Sequence, residues 1–313
     1  MPTPDTSFEP LALELSAVIV AVTNDEPRVL VVDHEAALPS GPLESGHRTL
    51  ELGLRAWVER QTRQKLGYVE QLYTFADRDR LQMAEATRLI SLSYLALARE
   101  VAESGTDQSV WSNWYRYFPW EDWRQGTNSL VREVILPRLQ EWAHADVDAS
   151  TSRGRLRRIA GTFADTERHW NDELVLQRFE LLYEAGLVPE SGRHGEAAAE
   201  PIPGAPMVHD HRRILATGIA RLRAKSKYRP VVFELMPTCF TLSQLQRAVE
   251  ALAGRRLHKQ NFRRFIEQQR LVEETGEITA GTGGRPAKLV RFRREVLQER
   301  AVAGTKLPLS RSG

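Results

Sequence analysis

The sequence predicts an α/β sandwich domain followed by a helical connector and a C-terminal winged helix-turn-helix. Three observations carry this reading. A continuous β-branched run at 11–22 opens an alternation of strand-like and helix-like segments. Segment 241–294 has the order helix, turn, basic helix, basic hairpin. Charge is also divided along the chain: the formal net charge is +2, yet residues 211–313 carry 22 Lys and Arg against 8 Glu (+14), and the remainder carries 21 basic against 33 acidic residues (−12). A cationic module on an anionic body points to nucleic acid as partner.

At 313 residues the chain is long enough for two domains with substantial cores. The expected division is 1–145 for the sandwich, 146–207 for the connector and linker, 208–300 for the winged module and 301–313 for a tail. No run reaches the roughly 18 apolar residues needed to span a bilayer. The start Met1-Pro-Thr-Pro-Asp5 lacks the basic and apolar regions of a signal peptide, so a cytoplasmic protein with no membrane partner is expected. Cys239 is the only cysteine, which excludes an internal disulfide and a cysteine-based zinc site.

The elements follow in order. Leu11 to Val22 reads as a buried strand, Thr23 to Pro27 as a turn, and Arg28 to Asp33 as the returning strand of a hairpin. A loop at Pro39-Ser-Gly-Pro-Leu43 leads into an amphipathic helix at 49–61, with Leu50, Leu54, Trp57 and Val58 on one face. Strand-like runs follow at 68–75 and 88–98. After the aromatic stretch from Trp111 to Trp123 comes a helix at 131–142. Segments 153–158 and 163–187 read as connector helices offering a candidate dimer face, and 189–206, rich in Pro, Gly and Ala, as the linker. His211 to Ser226 reads as the first helix of the winged module.

In that module Thr241 and Gln244 have the spacing of a capping box. Leu242, Leu245, Val249 and Leu252 recur at helical spacing, and Gly254 stands where a left-handed terminating residue is expected. The second helix places Phe262, Phe265, Ile266 and Leu271 inward and Lys259, Gln260, Arg263 and Arg264 outward. Two short strands then flank the glycine-rich tip Ala280-Gly-Thr-Gly-Gly-Arg-Pro-Ala-Lys288. Arg and Lys suit phosphates, while Gln260 and Asn261 have the paired donor and acceptor that read an adenine edge. Ser243, Gln244, Lys259, Gln260, Asn261, Arg263, Arg264, Arg285 and Lys288 are the candidate contacts to double-stranded DNA.

The loop and helix from Gly41 resemble the Nudix box of hydrolases that cut a nucleoside diphosphate linked to another group. Gly41, Arg55, the apolar Trp57 and Glu59 fall in register with it. His47, Ala56, Arg60 and Thr62 stand where the pattern has Glu, Glu, Glu and Gly. Those glutamates normally hold magnesium, and one surviving carboxylate does not assemble an oxygen-rich metal site. No catalytic residue, metal set or required cofactor is therefore assigned. An arginine in place of a metal-ligating carboxylate can meet phosphate directly, so Gly41, His47, Arg48, Arg55, Glu59 and Arg60 are the candidate ligand residues. The alternative is that Arg60 and Arg63 are solvated residues of an amphipathic helix.

Several stretches together resemble the Nudix-related transcriptional regulators of bacterial NAD metabolism, the NrtR/NadQ type. They are Leu38-Pro-Ser-Gly-Pro-Leu43, His47 to Glu59, Gly67 to Phe75, Tyr228 to Leu235, Phe240 to Gln246, Asn261-Phe-Arg-Arg264 and Gly283-Gly-Arg-Pro-Ala287. The resemblance covers roughly 12–100 and 211–293. It implies a homodimeric repressor that binds a palindromic operator near NAD biosynthesis or salvage genes, with a Nudix-like domain sensing ADP-ribose, NAD or ATP. Two other functions remain open: an active Nudix hydrolase with an appended nucleic-acid module, using an atypical Glu44, Glu51 and Glu59 set, and an RNA-binding factor.

Overall fold

The structure is a computed structural model that describes residues 11–77, 88–100, 109–145, 147–164, 166, 169–194, 200–279 and 286–295. Residues 280–285 of the glycine-rich tip, Arg285 among them, lie outside the described residues. The sheet of the body is built from β1 (Leu11–Thr23), β2 (Glu26–Val32), β3 (Ser40–Pro42), β4 (Tyr68–Phe75), β5 (Arg88–Leu97) and β6 (Ser109–Asn113). The strand order is β4-β5-β1-β2-β6, with β3 pairing the early part of β1. β1 and β5 run parallel at the centre, and β1 and β2 form the expected hairpin. Its two-residue turn has Asn24 and Asp25 at φ 53° and 62°, the left-handed pair whose twist matches that of the strands.

Alternation along β1 directs side chains to two cores. Leu15, Ala17 and Ile19 pack with Leu54 and Val58 of α1 (Leu50–Thr62). Val18 and Val20 face the opposite layer. That layer is dominated by the aromatic segment after β6, where two tight turns, Trp114–Arg116 and Pro119–Glu121, bury Trp114, Tyr117, Phe118, Trp120 and Trp123. A wide turn at Val131–Ile135 enters α2 (Leu136–His144), followed by α3 (Ala149–Thr162) and α4 (Val175–Glu184).

The connector departs from the sequence expectation in three places. Within the run expected to be helical over 163–187, the described residues form one α-helix, α4. The Thr162 and Asn171 carbonyls are taken instead by the Arg178 guanidinium, at 3.1 and 3.0 Å, and Asn171 Oδ1 turns the chain by accepting from the Glu173 N–H. The linker-like segment 189–206 is pinned at both ends: Glu190 and Ile202 are buried, Ile202 N donates to Leu187 O, and Ala205 N donates to Arg116 O. Third, α5 (His211–Tyr228), expected as the first helix of the winged module, packs on α4 and the body sheet, burying Ile214, Leu215, Ile219 and Leu222.

The polar side of α5 explains that placement. Arg212 bonds Glu190 at 3.1 Å, Arg213 meets Asp77 and Glu180 at 2.6 Å, Lys225 pairs with Glu70, and Lys227 meets Asp172 and Glu173 at 2.7 Å. Most deeply placed is Glu121, whose carboxylate receives Arg178 Nε at 2.6 Å and Arg223 Nη1 at 2.6 Å, all three side chains being buried. Five of the 22 basic residues counted from His211 onward, Arg212, Arg213, Arg223, Lys225 and Lys227, thus pair with carboxylates of the acidic body.

The winged module consists of α6 (Leu242–Ala253), α7 (Lys259–Gln268), β7 (Val272–Ile278) and β8 (Lys288–Phe292). The capping box at Thr241 and Gln244 is formed, and Gly254 ends α6 at φ 72°. A Cβ at Gly254 would lie 2.3 Å from Glu121 O, so only glycine serves both the left-handed turn and the close approach. Trp123 N donates to Gly254 O at 2.6 Å, Tyr115 Oη to Ala251 O at 2.7 Å, and Arg223 Nε to Leu252 O at 2.8 Å. The end of α6 is therefore held directly by the body. Phe262, Ile266 and Leu271 are buried as expected, whereas Phe265 is 52% exposed, because its position falls on the flank of α7 and not over α6.

Removing one charge of a buried ion cluster leaves its partners uncompensated, a loss of about 3–5 kcal/mol. Glu121→Gln, which keeps the shape but strips the charge between Arg178 and Arg223, is expected to lower unfolding free energy by about that much in urea titration. A change within about 0.5 kcal/mol, the range of an ordinary surface substitution, would contradict the role given to this carboxylate.

Candidate nucleic-acid interface and degraded nucleotide site

The exposed face of α7 is set by how α6 and α7 meet. Glu250, buried near the end of α6, accepts from Leu257 N at 2.9 Å, Gln246 Nε2 at 2.9 Å and Arg256 Nη1 at 3.1 Å. These bonds fix the turn and leave the start of α7 projecting. Burial alone would raise the Glu250 carboxyl, but the Leu257 N–H, the Gln246 amide and the Arg256 guanidinium outweigh it and hold it below the usual carboxylate range. On α7, Lys259, Gln260, Asn261, Arg263 and Arg264 are all exposed. Arg264 Nη2 donates to Asn261 Oδ1 at 2.8 Å, so these two side chains are already oriented together.

Other sequence-predicted contacts are placed differently. Gln244 Oε1 is committed to the cap, accepting from Thr241 N at 2.7 Å, and Ser243 beside it is half-buried. Lys288 is exposed at the end of β8 and bonds Glu274 at 2.8 Å. Arg291, on the same strand, pairs with Glu273.

In the degraded box, α1 is capped by Thr49, whose hydroxyl accepts from Leu52 N at 3.2 Å. Gly41 is buried in β3 against the indole of Trp57: a Cβ there would lie 2.3 Å from the ring, which explains the glycine by close approach. Trp57 Nε1 donates to Pro42 O at 2.8 Å, and the Arg60 guanidinium lies 4.1 Å from the centre of the same indole while bonding Glu44 at 3.2 Å. Arg60 is thus a stacked cation, ordered and half-exposed. His47 Nδ1 accepts from Glu44 N at 3.1 Å and ties the loop to itself.

Arg55 has a structural task that sequence spacing did not show. It bonds Glu51 at 2.9 Å and donates to Leu66 O and Gly67 O, clamping the chain that leads from α1 into β4. Arg48 and Glu59 are exposed. Glu44 and Glu51 are engaged by Arg60 and Arg55 respectively, and the described residues contain no group of three His, Cys, Asp or Glu side chains suited to a metal ion. The residues of the box do not fit the magnesium site of the Nudix pattern.

Sequence reasoning missed a polar cluster on the α5 side of the sheet, beside β3. Ser16 Oγ lies 2.8 Å from Ser93 Oγ and 3.4 Å from Ser91 Oγ. Burial raises the pKa of neighbouring Glu14, opposed by hydrogen bonds from Ser40 and Ser91 and by the charge of His209. The available signal was periodic: Glu14 and Ser16 in β1, and Ser91 and Ser93 in β5, are polar residues at period two in otherwise apolar strands.

With this geometry in place, comparisons with known proteins define the fold. Residues 232–292 match the family model described as the NrtR DNA-binding winged helix domain. The ADPR responsive transcriptional repressor NtrR of Acinetobacter baylyi is 40% identical over 86 residues, 28% of this chain and 34% of that protein. The chain therefore matches about a third of the length of this curated relative. The crystal structure of Shewanella oneidensis NrtR superposes with a TM-score of 0.52 at 19% identity, covering 90% of this chain and 94% of the other. Its complex with a 27mer DNA gives 0.50 at 20% identity, with 91% and 95% covered. A MutT/nudix family protein from Enterococcus faecalis gives 0.50 at 14% identity, with 94% and 90% covered. The fold is a Nudix-like α/β body carrying an NrtR-type winged helix domain, as the sequence predicted.

The lowered Glu250 pKa has a definite sign. Its contribution to stability is complete above the unfolded value of about 4.3 and is lost as pH falls through the lower folded value. Glu250→Gln is therefore expected to be less stable than the parent at pH 7, with the gap narrowing on acidification below about pH 4. Parallel chemical denaturation at several pH values measures this; a gap independent of pH refutes it.

Proposed function

We propose that this chain is a ligand-responsive transcriptional repressor that reads duplex DNA with α7 and the β7–β8 hairpin. The observation that carries the reading is the α7 face: Lys259, Gln260, Asn261, Arg263 and Arg264 stand exposed on a helix whose entry is fixed by a capped α6 and a buried Glu250. An amide pair beside guanidinium groups, on a helix slim enough for the major groove, suits base edges flanked by phosphates. As a homodimer the protein would place two such helices about one helical turn apart on a palindromic operator. Lys288 and Arg285 would follow the adjacent groove.

The body is proposed as the sensor, with an adenine nucleotide as effector. ADP-ribose is the first choice because the Acinetobacter relative is named as responsive to it; NAD and ATP are the alternatives. Arg60, stacked and half-exposed, together with exposed Arg48, supplies phosphate contacts. Arg55 and His47 act by holding the loop and the α1–β4 connection. Hydrolysis is not proposed, since Glu44 and Glu51 are held by arginines and Glu59 stands alone in the box. By this reading the protein works where DNA is, in the cytoplasm, on genes of NAD biosynthesis or salvage.

Two measurements test the two halves. In gel shifts on a palindrome upstream of such genes, Arg264→Ala should cost about 1–3 kcal/mol if the side chain contacts a base, or reduce the salt slope by about 1 if it contacts phosphate. Unchanged affinity and slope would remove α7 as the reading helix. In thermal denaturation with ADP-ribose, NAD, ATP or nicotinamide mononucleotide, the true effector at about 100 times its Kd should add roughly 2.7 kcal/mol, and Arg60→Ala should abolish that gain. Release of AMP from ADP-ribose with Mg²⁺ or Mn²⁺ would restore the hydrolase reading.

A further inference from the structure

The body is anionic overall, yet α3 departs from it. Residues 149–162 contain four arginines and no Asp or Glu. Two of the four are engaged locally: Arg155 stacks 4.2 Å from the Trp142 ring centre and donates to Trp142 O at 2.8 Å, and Arg158 donates to Glu184 at 2.8 Å. Arg153 and Arg157, four residues apart and therefore on one face, are exposed. Their surroundings on the helix are small or hydroxylated: Ser150, Thr151, Gly154, Ala160 and Gly161 are exposed with them. Such a face lets a polyanion approach the helix closely. The carboxylate nearest to it in sequence, the N-cap Asp148, is engaged by Ser150 N, Thr151 N and the Thr151 hydroxyl.

The position of α3 connects this face to the reader. The carbonyl of Thr162, the last residue of α3, accepts from Arg178; Arg178 bonds Glu121; and a Cβ on Gly254, the turn glycine ahead of α7, would touch the Glu121 carbonyl. The end of α3 and the turn ahead of α7 are thus joined through the buried Arg178–Glu121 pair. At 1.5 Å per residue, Arg157 lies about 8 Å and Arg153 about 14 Å along α3 from that anchor.

We propose that α3 is an auxiliary DNA-contacting surface, in which Arg153 and Arg157 bind backbone phosphates outside the bases read by α7. This rests on the proposed reading of α7 as the DNA reader and extends it to the sensor body. Phosphate contacts of this kind add affinity and salt dependence without sequence discrimination.

The test uses the full chain carrying Arg153→Gln together with Arg157→Gln, measured on a long operator duplex over a range of salt. Each lost phosphate contact removes about 0.9 from the slope of log K against log salt, so a decrease of about 2 is expected. Discrimination between operator and scrambled duplex should be unchanged, and the protected backbone should shorten at its outer edges in hydroxyl-radical footprinting. An unchanged slope and footprint overturns the α3 proposal while leaving the α7 reading intact. If the parent protein does not bind the operator at all, the α7 reading itself fails and the proposal with it. Loss of binding to anionic phospholipid vesicles, with the DNA slope unchanged, would assign the face to a membrane surface and equally overturn the proposal.

Discussion

The buried carboxylate of Glu121 is the constraint on which the rest of the architecture depends. A charge taken out of water is tolerated only with close, hydrogen-bonded partners, and here those partners come from separate parts of the chain. Arg178 belongs to the connector and Arg223 to α5, while the Glu121 backbone abuts the glycine that ends α6. The Glu121 carboxylate therefore fixes two elements relative to the aromatic segment, and its backbone a third. The Trp170 indole, 3.9 Å from the Arg178 guanidinium, and the Trp114 indole, 5.9 Å from that of Arg223, are themselves buried and raise the cost of any arrangement that separates the charges. The placement of α7 follows from this, because α7 begins five residues beyond Gly254.

How far the sequence was legible depended on the range of the interactions that decide each element. The capping box at Thr241 and Gln244, the Gly254 stop, the Asn24-Asp25 hairpin and the Thr49-capped helix are local, and each formed where residue chemistry predicted. The helix expected over 163–187 was interrupted by a long-range competitor: Arg178 draws in the carbonyls of Thr162 and Asn171 to complete its donors around Glu121. Apolar periodicity does not record that demand. The same holds for α5, whose amphipathic pattern identified a helix correctly but could not say which body it would cover.

Among the candidate site residues, exposure on α7 was readable because Phe262 and Ile266 set the buried face. Phe265 was misassigned because hydrophobicity alone does not distinguish the centre of a face from its margin. In the box, sequence register identified Gly41 and Trp57 but not that they touch, nor that Arg60 stacks on the same ring. Arg55 kept its place in the pattern while bonding backbone carbonyls near β4. Charge counting also needed revision: several cations of the C-terminal third lie on α5 and face the acidic residues of the body. The apparent polarity of the chain is in part the complementarity of an internal interface.

The contact of Gly254 with Glu121 also bears on how such a protein can change over generations. Winged helices are often treated as exchangeable parts, joined to unrelated partners through tolerant linkers. Here the end of α6 gives its last carbonyls to Tyr115, Trp123 and Arg223 of the body. Recombination at the boundary before residue 232 would therefore bring together surfaces with unmatched donors and acceptors. The end of α6 and the body are matched surfaces that any exchange must keep together, whereas substitution on the exposed face of α7 leaves that match untouched.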